Sequence, residues 1–96
     1  MNFGNIAGFQ WDDGNDAKNW HKHRVTWQEC EEVFFNQPLI IKEDDKHSQH
    51  ELRYHAFGKT NVVRLLFVVF TVRDGKIRII SARIMNKKEK YYYEKT

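Results

Sequence analysis

The sequence predicts an α+β fold, with N-terminal helices packed on a twisted, mainly antiparallel sheet of three to four strands and a short helix closing the chain. Three observations carry that expectation. Thr26-x-x-Glu29 and Asn86-x-x-Glu89 are capping boxes, in which cap and glutamate each satisfy the other's free backbone amide, so each marks a helix start. Two runs rich in β-branched and aliphatic residues flank Asp74-Gly75, a pair that favours the two-residue type I′ hairpin turn. No repeat or low-complexity tract interrupts the pattern.

In chain order, Phe9 to Trp11 reads as a short strand. Asp12 or Asp13 then caps a polar helix to about His23, whose narrow apolar stripe is Ala17 and Trp20. The helix opened by Thr26 carries Trp27, Cys30, Val33 and Phe34 at helical spacing; Pro38 ends it and Leu39 to Lys42 resumes as a strand. Glu43 to His50 is polar and aperiodic and is expected to be a mobile loop. Strands follow from about Glu51 to Phe57, from Val62 to Arg73 and from Lys76 to Ile84, before the C-terminal helix through Tyr91, Tyr92 and Tyr93.

Ninety-six residues are the size of one domain, taken as residues 1–96. No apolar run approaches the roughly 20 residues of a membrane-spanning helix, and the first residues lack a basic segment leading into an apolar one. A soluble, cytoplasmic protein is expected. Cys30 is the sole cysteine, so no internal disulfide stabilises the chain. The net charge of +3 conceals an asymmetry: residues 1–48 hold five Lys/Arg against nine Asp/Glu, whereas residues 49–96 hold eleven against four. The second half is basic enough to attract a polyanion.

The turn at Asp74-Gly75 fixes a register in which Arg73 opposes Lys76, Val68 opposes Ser81 and Leu66 opposes Arg83. A turn over Gly58 to Asn61 would place Arg53 beside Leu66, His55 beside Arg64 and Glu51 beside Val68. Glu51, Arg53, His55, Arg64, Ser81 and Arg83 would then project from one face, and Leu65, Phe67, Val69 and Ile80 would join the core on the other. Neighbouring guanidinium groups call for anions among them, and their paired donors match phosphate. Arg73, Lys76 and Arg78, placed on the core-side face at the hairpin tip, could track a nucleic-acid backbone or guard the hairpin against pairing with neighbours. The competing reading makes the patch solvated surface charge, with Glu51 paired to Arg53 or Arg83.

Several blocks together resemble one family. They are F-x-W-D at Phe9 to Asp12, N-x-x-K-H-x-V at Asn19 to Val25, and E-x-x-x-V-F-x-x-x-P-L from Glu29 to Leu39. E-x-R-Y from Glu51 with Gly58 after it, and I-R-I-I-S-A-R at Ile77 to Arg83 followed by Glu89, complete the set. The sequence resembles the BrnT toxins of bacterial BrnT/BrnA toxin–antitoxin systems, small ribonucleases whose fold is similar to RelE-type messenger RNA interferases. The resemblance implies a cytoplasmic endoribonuclease that inhibits translation, uses no cofactor or metal, and is neutralised by a BrnA-like ribbon-helix-helix antitoxin. DNA contact would pass through the antitoxin, no membrane is involved, and a homodimer or a toxin–antitoxin heterotetramer are the candidate assemblies. Matching positions are Lys22, His23, Glu51, Arg53, Arg83 and Glu89. The chain departs from the family pattern at Asn15, where lysine is usual, and at Trp20, Arg24 and Met85, where an aliphatic residue, glycine and alanine are common.

Metal-independent RNA cleavage needs a base for the 2′-hydroxyl, cations around the phosphorane, and an acid for the departing 5′-oxygen. Arg53 and Arg83, assisted by Arg64, are the expected phosphate holders; His23 with Lys22 beside it, or Glu51, is the expected proton carrier. His55, Arg73, Lys76 and Arg78 are further candidate RNA contacts. Histidine titrates near neutrality and suits either proton role. His21-x-His23 and His47-x-x-His50 are weak zinc signals, because helical positions two apart diverge and no cysteine cluster accompanies them. The aromatic stripe of Trp20, Trp27, Phe34 and Phe35 fits packing better than base stacking. The alternative function is a non-catalytic RNA-binding or protein-interaction module using the same basic face.

Overall fold

The computed structural model describes residues 8–11, 23–47 and 51–96. Its elements are strand β1 (Gly8–Gln10), helix α1 (Trp27–Val33), strand β2 (Ile40–Glu43), a 3-10 turn (Asp45–His47), strands β3 (Tyr54–Lys59), β4 (Leu65–Arg73) and β5 (Lys76–Ile84), and helix α2 (Lys87–Glu94). The strands form one sheet in the order β1-β5-β4-β3-β2, antiparallel except where β1 runs parallel to β5. Five strands therefore replace the three to four expected. Of the polar helix expected before His23, only His23 itself falls within the described residues.

Local chemistry accounts for the element boundaries. Thr26 and Asn86 cap α1 and α2 with both halves of each capping box formed. Asp74 and Gly75 have φ of 52° and 71°, as a type I′ turn requires, and Arg73 pairs with Lys76 as expected. Arg24 also sits in the left-handed region, at φ 54°. A bulky side chain pays a steric cost in that conformation that glycine does not.

Between β4 and β5 the predicted register holds from the turn as far as Phe70 opposite Ile79. A bulge then leaves Ile80 without a partner, so Val69 faces Ser81, Phe67 faces Arg83 and Leu66 faces Ile84. The bulge lets Ile77, Ile79 and Ala82 all point into the core. Unbroken alternation from Ile79 would have turned Ser81 and Arg83 inward.

The β3–β4 register differs by five positions from the expected one. Tyr54 pairs with Phe70 and Lys59 with Leu65, leaving residues 60–64 as the connection. Buried Thr60 ties this loop: its amide donates to the Arg64 carbonyl, and its hydroxyl accepts from the Arg64 amide at 3.0 Å. Gly58, read from sequence as a turn residue, lies instead within β3 against α1, where a Cβ would stand 2.7 Å from Val33 Cγ1 and 3.2 Å from its carbonyl oxygen. Its glycine serves close helix–sheet approach. Because the register error is an odd number, the two faces of β4 exchange: Leu66, Val68 and Phe70 are buried, rather than Leu65, Phe67 and Val69.

The core lies between this face and α1, which contributes Cys30 and Val33. Phe70 is its centre, stacked on Tyr54 at 5.3 Å and edge-on to Phe34 at 5.1 Å. Phe34 in turn meets Phe9 of β1 at 5.5 Å, and Trp11 donates to Glu31 at 3.0 Å, fastening β1 to α1. The Glu43-to-His50 segment contains the 3-10 turn and buried Asp44 rather than being wholly irregular; residues 48–50 lie outside those described. Gly58→Ala should lower unfolding stability by about 1–3 kcal/mol, because buried, β-branched Val33 cannot swing away. Urea denaturation checks this; an unchanged midpoint would contradict the contact.

Candidate functional site

The face of the sheet opposite α1 carries the polar chemistry. Cross-strand pairing puts Lys42 beside His55, Phe67 beside Arg83, and Arg73 and Thr71 beside Lys76 and Arg78. At its centre lies the half-buried ring of Phe67. His55 meets that ring edge-on at 4.8 Å, Phe57 packs against it at 5.2 Å, and the Arg83 guanidinium stands 4.3 Å from its centroid. A cation over an aromatic face is held by the ring's quadrupole and loses little hydration.

Each charged group here has an orienting partner. Glu89 takes Arg83 end-on, with Nη1 donating to Oε1 at 2.7 Å and Nη2 to Oε2 at 2.9 Å, while Oε1 also accepts the Asn86 amide at 2.8 Å. Arg83 Nη1 further donates to the Ile84 carbonyl at 3.2 Å. Among the described residues this leaves Nε–H and one N–H of Nη2 unused, the side-on edge of the guanidinium that can take a phosphate through two bonds. On the other side of Phe67, His55 Nε2 lies 3.0 Å from Oδ2 of buried Asp44. That contact orients the ring and, among the described residues, leaves Nδ1 for another partner.

The hydrogen bonds from Arg83 hold the Glu89 carboxyl below its usual range, aided by the Asn86 amide and the nearby His55, against an opposing push from burial. At the other end of the face Glu51 is bidentate with Arg73, at 2.6 and 3.0 Å, and this bonding lowers its carboxyl while raising the Arg73 guanidinium. Arg78 and Thr71 add to the effect on Glu51.

The arrangement revises how the predicted residues are grouped. His55, Ser81 and Arg83 do share a face, but Glu51 is engaged at the hairpin tip with Arg73, not with Arg53 or Arg83. Arg64 joins the helix side, where Nη1 donates to Glu29 and, at 3.2 Å, to the Arg24 carbonyl. Arg53 is half-buried and its carbonyl accepts the Asp44 amide at 2.8 Å. Arg73, Lys76 and Arg78 lie on the same face as Arg83 rather than on the core side, because the bulge resets the alternation between them. His23 is half-buried, next to Arg24; Lys22 and Asn15, with His21 and His50 of the zinc pairs, lie outside the described residues. Among the described residues no three His, Cys, Asp or Glu side chains gather as a metal site. No described helix is long and apolar enough to cross a membrane.

Sequence reasoning missed Asp44, read as loop, and Phe67, assigned to the core. Glu89 was read chiefly as a capping residue. Its position six residues after Arg83 was the available signal. Beside it a cavity of about 300 Å³ opens beneath α2. The α2 residue Tyr93 anchors that helix by donating to the Pro38 carbonyl at 2.6 Å, and burial raises its hydroxyl's pKa, so it stays protonated as a donor.

Glu89 ionises more readily in the folded chain, so its pair with Arg83 stabilises fully above the ordinary carboxylate range. That contribution is lost as pH falls through the range and below it. The melting-temperature difference between the parent and Glu89→Gln should therefore be largest at neutral pH and close on acidification; a pH-independent difference would contradict the pairing.

Residues 11–89 match the family described as "Ribonuclease toxin, BrnT, of type II toxin-antitoxin system". None of the curated proteins matches. Among solved structures, the Brucella abortus ribonuclease toxin BrnT has a similar fold, with a TM-score of 0.61 at 19% identity over 83% of this chain and 97% of that one. With the family pattern spanning the core strands, the bulged hairpin and the Arg83–Glu89 pair, this chain belongs to the BrnT family of type II toxin–antitoxin ribonuclease toxins.

Proposed function

We propose that the chain cleaves RNA without a metal ion on the face centred on Phe67, and that it is a single catalytic domain which inhibits translation in the cytoplasm. The observation that carries this is the placement of His55 and Arg83 against one aromatic ring, each braced by a carboxylate and each, among the described residues, with its other nitrogen edge unused. The side-on edge of Arg83 binds a non-bridging oxygen and neutralises the charge that builds on the phosphorane. His55 Nδ1 moves the proton of the attacking 2′-hydroxyl or of the 5′-leaving oxygen, with Asp44 stabilising the charged imidazole. Arg73, Lys76 and Arg78 extend the same face and track the flanking backbone.

This reading gives His55 the role assigned from sequence to His23 and Lys22, since His55 shares Phe67 with Arg83. Glu51 is a poorer base than a free carboxylate, being lowered and doubly bonded by Arg73. We take Arg53 and Arg64 as supporting residues, Arg64 through its bond to Glu29 at the start of α1. Family membership brings an antitoxin and an RNA target with it. We take the antitoxin to be of ribbon-helix-helix type, to carry the DNA contact and to assemble with the toxin as a heterotetramer, with a homodimer as the simpler state.

His55→Ala should reduce RNA cleavage by roughly 10²- to 10⁴-fold, the usual contribution of a positioned acid or base. Arg83→Lys should also lose activity, because a point charge cannot reproduce the side-on bond pair. Gel assay of purified, folded variants in the presence of a metal chelator checks all three elements. Full activity of His55→Ala with loss in His23→Ala would transfer the proton role to His23; loss of parental cleavage on chelation would overturn metal independence; RNA binding with no cleavage would favour the non-catalytic module.

A further inference from the structure

The cavity under α2 adjoins the proposed phosphate site through Glu89, which belongs to both. Its walls are apolar and aromatic, from Ile40, Phe57, Tyr92 and Tyr93, while Lys42 and Lys88 lie along it with Glu89. Three links tie it to the chemistry already described. Glu89 both lines the cavity and holds Arg83. Phe57 lines it and packs on Phe67, and Lys42 lines it and pairs across the sheet with His55. A volume of about 300 Å³ is at the lower end for small-ligand sites.

A phosphodiester gripped by Arg83 must carry a base on each side within one nucleotide's reach. Tyr92, 61% exposed on the surface of α2, offers a ring that the core does not need, whereas Tyr93 beside it is buried and committed to Pro38. Lys42 and Lys88 outnumber the single side-chain carboxylate, Glu89, which Arg83 already neutralises, so even with the carboxylate of Thr96 at its edge the rim favours an anionic strand over an acidic peptide. We propose that this cavity is a nucleobase slot, in which a base next to the scissile phosphate stacks on Tyr92 while Lys42 and Lys88 hold the adjoining phosphate. Stacking on an aromatic side chain accepts any base, with modest preferences set by stacking strength. The slot rests on the proposed RNA cleavage for its biological use, but not for its binding chemistry.

The test is backbone-amide NMR titration of the purified full chain with each of the four nucleoside 5′-monophosphates and with ribose 5-phosphate as the probe lacking a base. Mononucleotides should shift amides of residues 40–42 and 88–92 in a saturable way, and ribose 5-phosphate should bind those sites at least fivefold more weakly. Tyr92→Ala, at an exposed position that leaves the fold intact, should weaken the mononucleotides about fivefold or more, equivalent to roughly 1 kcal/mol of stacking. Equal binding of ribose 5-phosphate, or no response at these amides, would overturn the slot even if RNA cleavage proceeds. Base-dependent binding in a chain that cuts no RNA would uphold the slot and refute the catalytic reading instead.

Discussion

The bulge at Ile80 is the constraint on which the rest of the sheet depends. On its turn side, β5 buries Ile77 and Ile79; on its far side it buries Ala82, and only an extra residue between them brings all three to one face. The same insertion sends Lys76, Arg78, Ser81 and Arg83 to the other face. A regular strand from Ile79 onward would have driven Arg83 toward the aliphatic core, where an unpaired guanidinium costs several kcal/mol. One irregularity in one strand thus sets both the packing of the core and the make-up of the cationic face.

Two glutamates then carry the order of the sheet into the helices. Each is the third helical residue of a capping box, and each also receives an arginine from the sheet side: Glu29 takes Arg64 and Glu89 takes Arg83. A carboxylate in a first helical turn is favoured by the helix dipole and the free amides there, so it is already oriented before the arginine arrives. At Glu89 this matters for chemistry. Engaging the end-on edge of Arg83, and resting its plane against Phe67, orients the side-on edge proposed to bind phosphate without a further rotamer to fix. His55 is oriented in the same way by Asp44. The proposed active face is therefore built from side chains whose freedom was removed by folding.

Much of this could be read from residues alone. The two capping boxes, the I′ turn at Asp74-Gly75 and the strand character of the segments around it were all legible, because their causes lie within a few residues of one another; Pro38 was not the helix stop it looked like, since α1 already ends at Val33. The basic second half of the chain and the motif blocks running into Arg83 also pointed toward RNA. What misled was Gly58. A glycine between two strand-like runs looks like a turn, yet it sits in β3 because Val33 presses on it, and the hairpin turns beyond it at residues 60–64. That single misreading moved the register by an odd number and placed Phe67 in the core instead of under Arg83. Asp44 escaped notice because a lone acidic residue in a polar stretch gives no sign of burial.

Neighbouring residues along the chain set the local elements, their caps, the tight turn and the charge that makes one end of the chain basic. Packing in three dimensions chose which strands are neighbours in what register, where β5 bulges, and hence that His55, Phe67, Arg83 and Glu89 come together while Glu51 and Arg64 go elsewhere. The reason is one of range. Caps and turns are closed by hydrogen bonds between residues two to four apart, whereas register and bulge are chosen by the burial of side chains from α1, β3, β4 and β5 at once.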